Sequence, residues 1–290
     1  MPVIERNPQT HQPASRCRSF GLVSFGLVVA LLWVLPATSC ASAAAPNPRI
    51  EQDLAQLLRL EASATREVAR HAVKSLDLRY VAPLVELLRF SIAGLPSTEI
   101  SQTLNTLTGT SHGLDWEAWY VWMGNRELPL PANFATWKGE LFAKMVDPEM
   151  RRFLNAKHRM TIRPELIQWG GVRVDGIPAL VRPKVVAADD AEGTAYLTPD
   201  ERVFGVEIHG AARAYPLRIL DWHEMANDVV GGQSIALAYC TLCGAGVLYA
   251  TDPAGKTVTF GSSGLLYQSN KLMYDRESDS LWNQLTGEPV

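Results

Sequence analysis

Two hydrophobic patterns divide the chain. Over residues 50–90 the apolar residues recur at three- and four-residue spacing, which predicts amphipathic helices. One such face consists of Leu54, Leu57, Leu58 and Ala62. After Trp169 the apolar residues alternate in short runs that glycine and proline interrupt, which predicts β-strands joined by turns. We therefore predict an α+β protein in which a helical region over residues 45–165 packs on a β-rich domain over residues 166–290.

Aromatic residues are concentrated in the second half of the helical region. Trp116, Trp119 and Tyr120 lie at three- and four-residue spacing and would share one helix face. Such a face can stack a sugar or a quinone, but large aromatic side chains more often form core, and we predict core. The segment from Asp77 to Leu88 is similar to a helix of a HEAT-type repeat. One or two such units are too few to stand alone, which favours a helical cap on the next domain.

The β-rich domain shows three local signals. The turn residues His209 and Gly210 separate two alternating runs and predict a β-hairpin. Residues 220–228 are predicted to form a short helix, with Asp221 as its cap. Residues 234–239 form an apolar run that predicts a buried strand.

Residues 1–44 have the order of a secretory leader. Arginines precede an apolar run over residues 20–35, and small residues follow it. The run is shorter than the roughly 20 residues of a membrane-spanning helix. We predict a cleaved signal peptide, with an uncleaved membrane anchor as the alternative. Either interpretation places the folded part outside the cytoplasm, in the periplasm or at the cell surface.

Cys40 permits a second interpretation of the leader. Small residues before a cysteine, directly after an apolar run, resemble a bacterial lipoprotein cleavage box. The match is imperfect because Ala37 stands where a large aliphatic residue is usual. Lipidation of Cys40 would tether the mature chain to a membrane surface, whereas ordinary cleavage near Ala43 would remove this cysteine.

The charges are nearly balanced, with 27 lysines and arginines, 30 aspartates and glutamates, and a formal net charge of −3. The chain has no basic run, which argues against nucleic acid as a partner. A membrane tether through the N-terminus is the one partner that the sequence suggests. It leaves open whether the protein is an enzyme.

Cys240 and Cys243 are the only cysteines beyond the leader, and they form a C-x-x-C at the end of an apolar run. This spacing brings two sulfurs within reach of one disulfide or one metal ion. The sequence Gly244 to Tyr249 that follows is typical of a strand, so we exclude a thioredoxin fold, in which a helix follows the motif. Three interpretations of the pair stay open.

The first interpretation is a thiol–disulfide redox pair, with Cys240 and Cys243 as the catalytic residues. A C-x-x-C thiol is activated when a cation or a helix N-terminus lowers its pKa. No lysine or arginine lies between Gly231 and Gly255. Activation would therefore need His223 or backbone amides.

The second interpretation is a metal site formed by His223, Cys240 and Cys243. Two thiolates and an imidazole suit zinc or copper. Met273 is a candidate for a fourth ligand, and Glu224 or Asp228 would orient the imidazole. The third interpretation is a structural disulfide, although a C-x-x-C disulfide is strained and easily reduced and therefore stabilises a fold poorly.

Several ordered motifs resemble a known family. They are Trp169-Gly-Gly-Val-Arg-Val-Asp-Gly-Ile-Pro-Ala-Leu, Ala212-Arg-Ala-Tyr-Pro-Leu-Arg-Ile-Leu-Asp-Trp-His-Glu, Asn227-Asp, Tyr239-Cys-Thr-Leu-Cys-Gly, Phe260-Gly-Ser-Ser-Gly-Leu-Leu-Tyr-Gln-Ser-Asn and Met273-Tyr-Asp-Arg. The family is the domain of unknown function DUF3179, and the resemblance covers about residues 168–290. It implies no activity.

Two departures from the family pattern stand out. The family usually has proline between the two cysteines, where this chain has Thr241. The family also usually continues beyond the position of Val290, so we expect the domain to be cut short at its C-terminus. The chemistry must therefore be argued from the residues themselves.

Overall fold

The computed structural model describes residues 47–90, 94–187, 196–252 and 257–290. The predicted leader, including Cys40, lies outside these ranges. All of these residues belong to one unit of the chain. None of the helices in these ranges combines the length and the apolar character that a membrane span requires.

The N-terminal half of the described chain is helical. Its α-helices are α1 (Pro48–Leu57), α2 (Ala62–Ser75), α3 (Val81–Arg89), α4 (Ser97–Thr108), α5 (Trp116–Gly124) and α6 (Phe134–Met145). Short 3-10 helices span Leu78–Tyr80, Pro148–Arg152 and Pro164–Leu166. Local sequence explains several starts: Asn47, Asp115 and Asp147 each accept a hydrogen bond from a backbone amide of the first turn.

The aromatic residues of α5 belong to the core. Trp119 is fully buried, and Trp116 and Tyr120 are partly buried against the same cluster. The preference for core over a stacking surface is therefore confirmed for this face. A lysine is also buried among these helices: Lys138 forms an ion pair with Glu86 and donates to the carbonyl oxygen of Pro164 at 3.0 Å.

The C-terminal half contains ten strands and one α-helix among the described residues. The strands are β1 (Ile167–Trp169), β2 (Leu180–Val181), β3 (Val203–Ile208), β4 (Ala211–Pro216), β5 (Met225–Val230), β6 (Gln233–Cys240), β7 (Ala245–Ala250), β8 (Phe260–Tyr267), β9 (Asn270–Asp275) and β10 (Leu281–Asn283), and the helix is α7 (Leu217–His223). A helical region before residue 152 and a β-rich region after residue 167 make this an α+β protein, as the sequence predicts.

The strands form two four-stranded sheets and one hairpin. The first sheet has the order β1-β8-β9-β10, the second has the order β2-β5-β6-β7, and β3 pairs with β4. All pairs are antiparallel except β2 with β5, which is parallel. The β3–β4 hairpin turns at His209 and Gly210, both with positive φ, as predicted.

The first sheet lies between the helices and the second sheet. Along β9, Leu272 and Tyr274 belong to the core that the helices form, together with Leu265 of β8. Met273 belongs instead to a smaller core that includes Met225 of β5 and Ala238 of β6. Alternate residues of a strand point to opposite faces. The β9 strand therefore has a helical side and a side toward the second sheet.

The predicted helix over residues 220–228 is partly wrong. The helix α7 spans Leu217–His223, and the chain then forms β5. Glu224 adopts a left-handed conformation, with φ of 52°, and ends the helix there. Backbone pairing of β5 with β6 competes successfully with the helical preference of this segment. One consequence is that His223 and Glu224 lie in different environments.

The packing of α6 yields a test of this fold. A Cβ atom added at Gly139 would lie 2.1 Å from the carbonyl oxygen of Leu154. Because backbone cannot yield as a flexible side chain can, Gly139→Ala should lower the free energy of unfolding by about 1–3 kcal/mol. Chemical denaturation measures this change.

A matched control is Gly124→Ala at the end of α5. There the added Cβ would make an ordinary contact of 3.8 Å with Leu166. We expect the free energy of unfolding to change by less than about 1 kcal/mol. Equal effects of the two substitutions would contradict the packing of α6 described here.

Candidate functional site

The C-x-x-C lies in the turn between β6 and β7. Cys240 is the last residue of β6, and β7 begins at Ala245. Gly244 ends the turn with φ of 61°, a conformation that favours glycine. A strand follows the motif, as predicted, and not the helix of a thioredoxin fold.

The two thiols differ sharply in exposure. Cys240 is 1% exposed, whereas Cys243 is an exposed residue. Both are free in this structure, so no disulfide joins them. One sulfur is therefore accessible to another molecule, and its neighbour in the motif is not.

The environment of Cys240 disfavours its thiolate. Burial raises the pKa of Cys240, and the hydrogen bond with the Cys243 side chain raises it further. Backbone hydrogen bonds at Cys243 and Lys271 oppose this shift and lower the pKa, but the net direction is upward. The buried thiol thus needs additional stabilisation before it can act as a nucleophile.

A side-chain amide donates to the exposed sulfur. Asn270, the first residue of β9, lies 3.2 Å from the Cys243 sulfur through Nδ2 and 2.8 Å from Oε1 of Gln284. Gln284 uses its own Nε2 to donate to the carbonyl oxygens of Ala238 and Ala245. The Oε1 of Gln284 must therefore accept from the Asn270 Nδ2 group. This hydrogen bond orients the Asn270 amide so that Nδ2 also faces the Cys243 sulfur.

A two-residue turn brings Asn270 and Lys271 to this position. Gln268 and Ser269 both have positive φ and connect β8 directly to β9. Because Tyr267 pairs with Asn270 across this turn, the start of β9 is fixed in register. The polar residues after the turn therefore reach the cysteines as part of a strand, and not as part of a loose loop.

Lys271 places a buried cation beside the thiols. It is 4% exposed, and its Nζ donates to the backbone oxygen and to Oε2 of Glu224, both at 3.2 Å. Burial lowers the pKa of Lys271, although the charges of Glu224, Cys240 and Cys243 partly oppose this shift. Asn270, which precedes the lysine in β9, donates to the Cys243 sulfur, so this part of the strand lies beside the thiols.

Glu224 connects this lysine to the turn of the motif. Its Oε1 accepts a hydrogen bond of 2.6 Å from the Thr241 hydroxyl, and its backbone oxygen accepts from the Tyr239 amide at 2.8 Å. Proline, which is usual at the Thr241 position in the resembling family, has no hydroxyl to donate. The threonine therefore adds a hydrogen bond to the buried carboxylate.

His223 takes a different direction from its neighbour. It is partly exposed at the end of α7, and its Nδ1 lies 2.8 Å from the backbone oxygen of Pro178. Asp228, predicted as a possible partner of this imidazole, instead accepts from the Tyr215 hydroxyl at 2.8 Å and pairs with Arg213. Glu224, and not His223, hydrogen bonds with the residues around the cysteines.

The metal interpretation gains no support from this arrangement. Across the part of the chain that the structure describes, no group of three or more His, Cys, Asp and Glu residues could hold a metal ion. Met273, considered as a fourth ligand, is buried in the core between the two sheets. The proposed ligand set of His223, Cys240 and Cys243 stays a prediction.

Sequence reasoning missed Lys271 because it looked for a cation near the motif in sequence. The residue lies 28 positions after Cys243 in the numbering of the chain. The available signal was a lysine at the start of the continuous apolar run Leu272-Met-Tyr274, a pattern that predicts a strand buried on both faces. A charged residue in such a run is rarely buried without a partner.

Comparison with known proteins identifies the C-terminal part of the chain. Residues 174–290 match the family described as "Protein of unknown function (DUF3179)". These residues are a DUF3179 domain. The DUF3179 domain contains Cys240, Cys243, Lys271 and Glu224, so the whole thiol site belongs to it. No curated protein and no solved structure matches the chain.

The difference in exposure predicts a difference in reactivity within the DUF3179 domain. In the reduced, folded protein, iodoacetamide should alkylate Cys243 quickly and Cys240 slowly, because the latter is buried and its pKa is raised. Unfolding in denaturant should make the two rates similar. Mass spectrometry of peptides from timed samples measures both rates. Equal rates in the folded protein would contradict the described burial.

Proposed function

We propose that the DUF3179 domain of this protein is a thiol–disulfide exchange centre. One observation carries the proposal: the C-x-x-C presents an exposed thiol, Cys243, beside a buried one, Cys240. Exchange needs an accessible thiol to attack the substrate and a protected thiol to complete the reaction. The Asn270 amide, which donates to the Cys243 sulfur, supports the same role because it stabilises a thiolate there.

The reaction has two steps that balance. The Cys243 thiolate attacks one sulfur of a substrate disulfide, a mixed disulfide forms, and the other substrate sulfur leaves as a thiolate that takes a proton from solvent. The Cys240 thiolate then attacks the Cys243 sulfur, and the second substrate sulfur leaves and is protonated. The substrate disulfide is reduced to two thiols, and Cys240 and Cys243 are oxidised to a disulfide. The thiol protons pass to solvent.

The same proposal places the protein outside the cytoplasm. It is supported by the order of basic, apolar and small residues in positions 1–44. An oxidising compartment favours the oxidised pair, which runs the same two steps in reverse: the Cys240–Cys243 disulfide passes to a substrate dithiol, and the pair is reduced. Lipidation of Cys40 would hold the exchange centre close to a membrane surface.

A trapping experiment with oxidised glutathione tests the exchange reaction. In the reduced Cys240→Ser variant, Cys243 should form a mixed disulfide with glutathione that accumulates, because the resolving thiol is gone. In the wild-type protein the adduct should be transient and the Cys240–Cys243 disulfide should replace it. Intact-protein mass spectrometry distinguishes these species.

The matched control is the reduced Cys243→Ser variant, which keeps only the buried thiol. It should acquire little glutathione over the same period because Cys240 is 1% exposed. A disulfide in the wild-type protein that glutathione cannot open would favour a structural role. Stoichiometric zinc or copper in the purified protein that is lost in Cys240→Ser would favour the metal-binding role.

A further inference from the structure

A buried ion pair lies next to the C-x-x-C turn. Lys271 and Glu224 are both buried, and their contact removes two charged groups from water at considerable cost. A buried ion pair is weak evidence for stability, since apolar residues of similar size often serve as well. Its position beside two thiols suggests chemistry, because Glu224 accepts a hydrogen bond from Thr241 between the cysteines, and Asn270, which precedes Lys271, donates to the Cys243 sulfur.

We propose that Lys271 is the positioning charge of the exchange centre: its ammonium group stabilises the sulfur anions of Cys240 and Cys243, and Glu224 limits that stabilisation. This inference rests on the proposed exchange function. Lys271 acts on the sulfurs through its charge alone and takes no part in bond formation.

The buried charges around the sulfurs decide the direction of this effect. With both cysteines as thiols, Lys271 and Glu224 neutralise each other. A thiolate adds one negative charge, which leaves the site with a net charge of about −1. The positive charge of the lysine attracts that thiolate, whereas an apolar side chain in its place would not. Loss of the lysine charge therefore disfavours the thiolate, and loss of the glutamate charge favours it.

The neighbouring titratable groups do not replace the lysine. Tyr239 precedes Cys240 in β6 but packs with Val206 and Tyr215 on the other face of the strand, and burial raises its pKa. Glu224 is held by the Thr241 hydroxyl on its other oxygen and therefore stays oriented toward Lys271 through Oε2. Among the described residues, Lys271 is thus a cation placed next to the motif: its partner Glu224 accepts from Thr241, and its neighbour Asn270 donates to the Cys243 sulfur.

Two substitutions in the full chain test this inference because their effects should have opposite signs. The equilibrium between dithiol and disulfide is measured in buffers of reduced and oxidised glutathione. Lys271→Met should shift the equilibrium roughly tenfold toward the disulfide, because the thiolate of the reduced form is less stable. Glu224→Gln keeps the side-chain shape and should shift it roughly tenfold toward the dithiol.

The matched controls come from the other buried ion pair. Lys138→Met and Glu86→Gln remove the same charges from the helical core, and each should leave the equilibrium within about twofold of wild type. If Lys271→Met does not fold, Glu224→Gln decides the question by itself. When the wild-type protein exchanges with glutathione, a shift of the two site variants in the same direction, or no shift in either, would overturn the inference.

The thiolate fraction separates this inference from the proposed function. Ultraviolet absorbance of the reduced protein at one fixed pH reports thiolate whether or not glutathione reacts. We expect less thiolate in Lys271→Met and more in Glu224→Gln than in wild type. If the wild-type protein shows no exchange with glutathione but the absorbance changes as expected, the exchange function fails and the charge assignment stands. An unchanged absorbance in both variants would refute the assignment.

Discussion

The β8–β9 hairpin packs against the helices with one face and against the second sheet with the other. Leu272 and Tyr274 occupy the helical core, while Met273 lies between the sheets. Because side chains alternate along a strand, the register that buries these three residues also fixes Lys271 on the side of the second sheet. A slip by one residue would exchange the two faces of β9 and turn the lysine away from the cysteines.

The site depends on this strand as well as on the motif. The C-x-x-C turn contributes the two sulfurs and the Thr241 hydroxyl. The cation and the amide donor come from β9, and the carboxylate comes from the residue that ends α7. The left-handed conformation of Glu224 turns the chain so that His223 faces outward and the glutamate faces inward. Three separate segments thus converge on the thiols.

The sequence predicted the architecture better than the site. Helical periodicity and alternating runs are local signals, and they correctly divide the chain into helices and sheets. The strand after the C-x-x-C was also predicted, since Gly244 to Tyr249 lacks any helical pattern. The family resemblance, which rests on ordered motifs, is confirmed over residues 174–290.

The partners of the cysteines were not predictable by the same means. They depend on how β5, β6 and β9 lie against one another, and no local pattern specifies that contact. A helix over residues 220–228 would continue past His223, but the helix ends there. The sequence therefore favoured the His223 imidazole as the partner of the cysteines, whereas the Glu224 carboxylate is the group that lies beside them. Lys271 lies too far from the motif in the sequence to be recognised as its neighbour, although β9 carries it to the site.

We propose that Cys240 and Cys243 form one reversible redox couple within the folded DUF3179 domain. The most direct measurement is the fraction of wild-type disulfide across a series of glutathione redox buffers, approached from both the oxidised and the reduced protein. We expect a single two-electron transition, reached from either side, with the protein folded throughout. A pair that stays wholly reduced or wholly oxidised across the series, or that changes only when the protein unfolds, would contradict it.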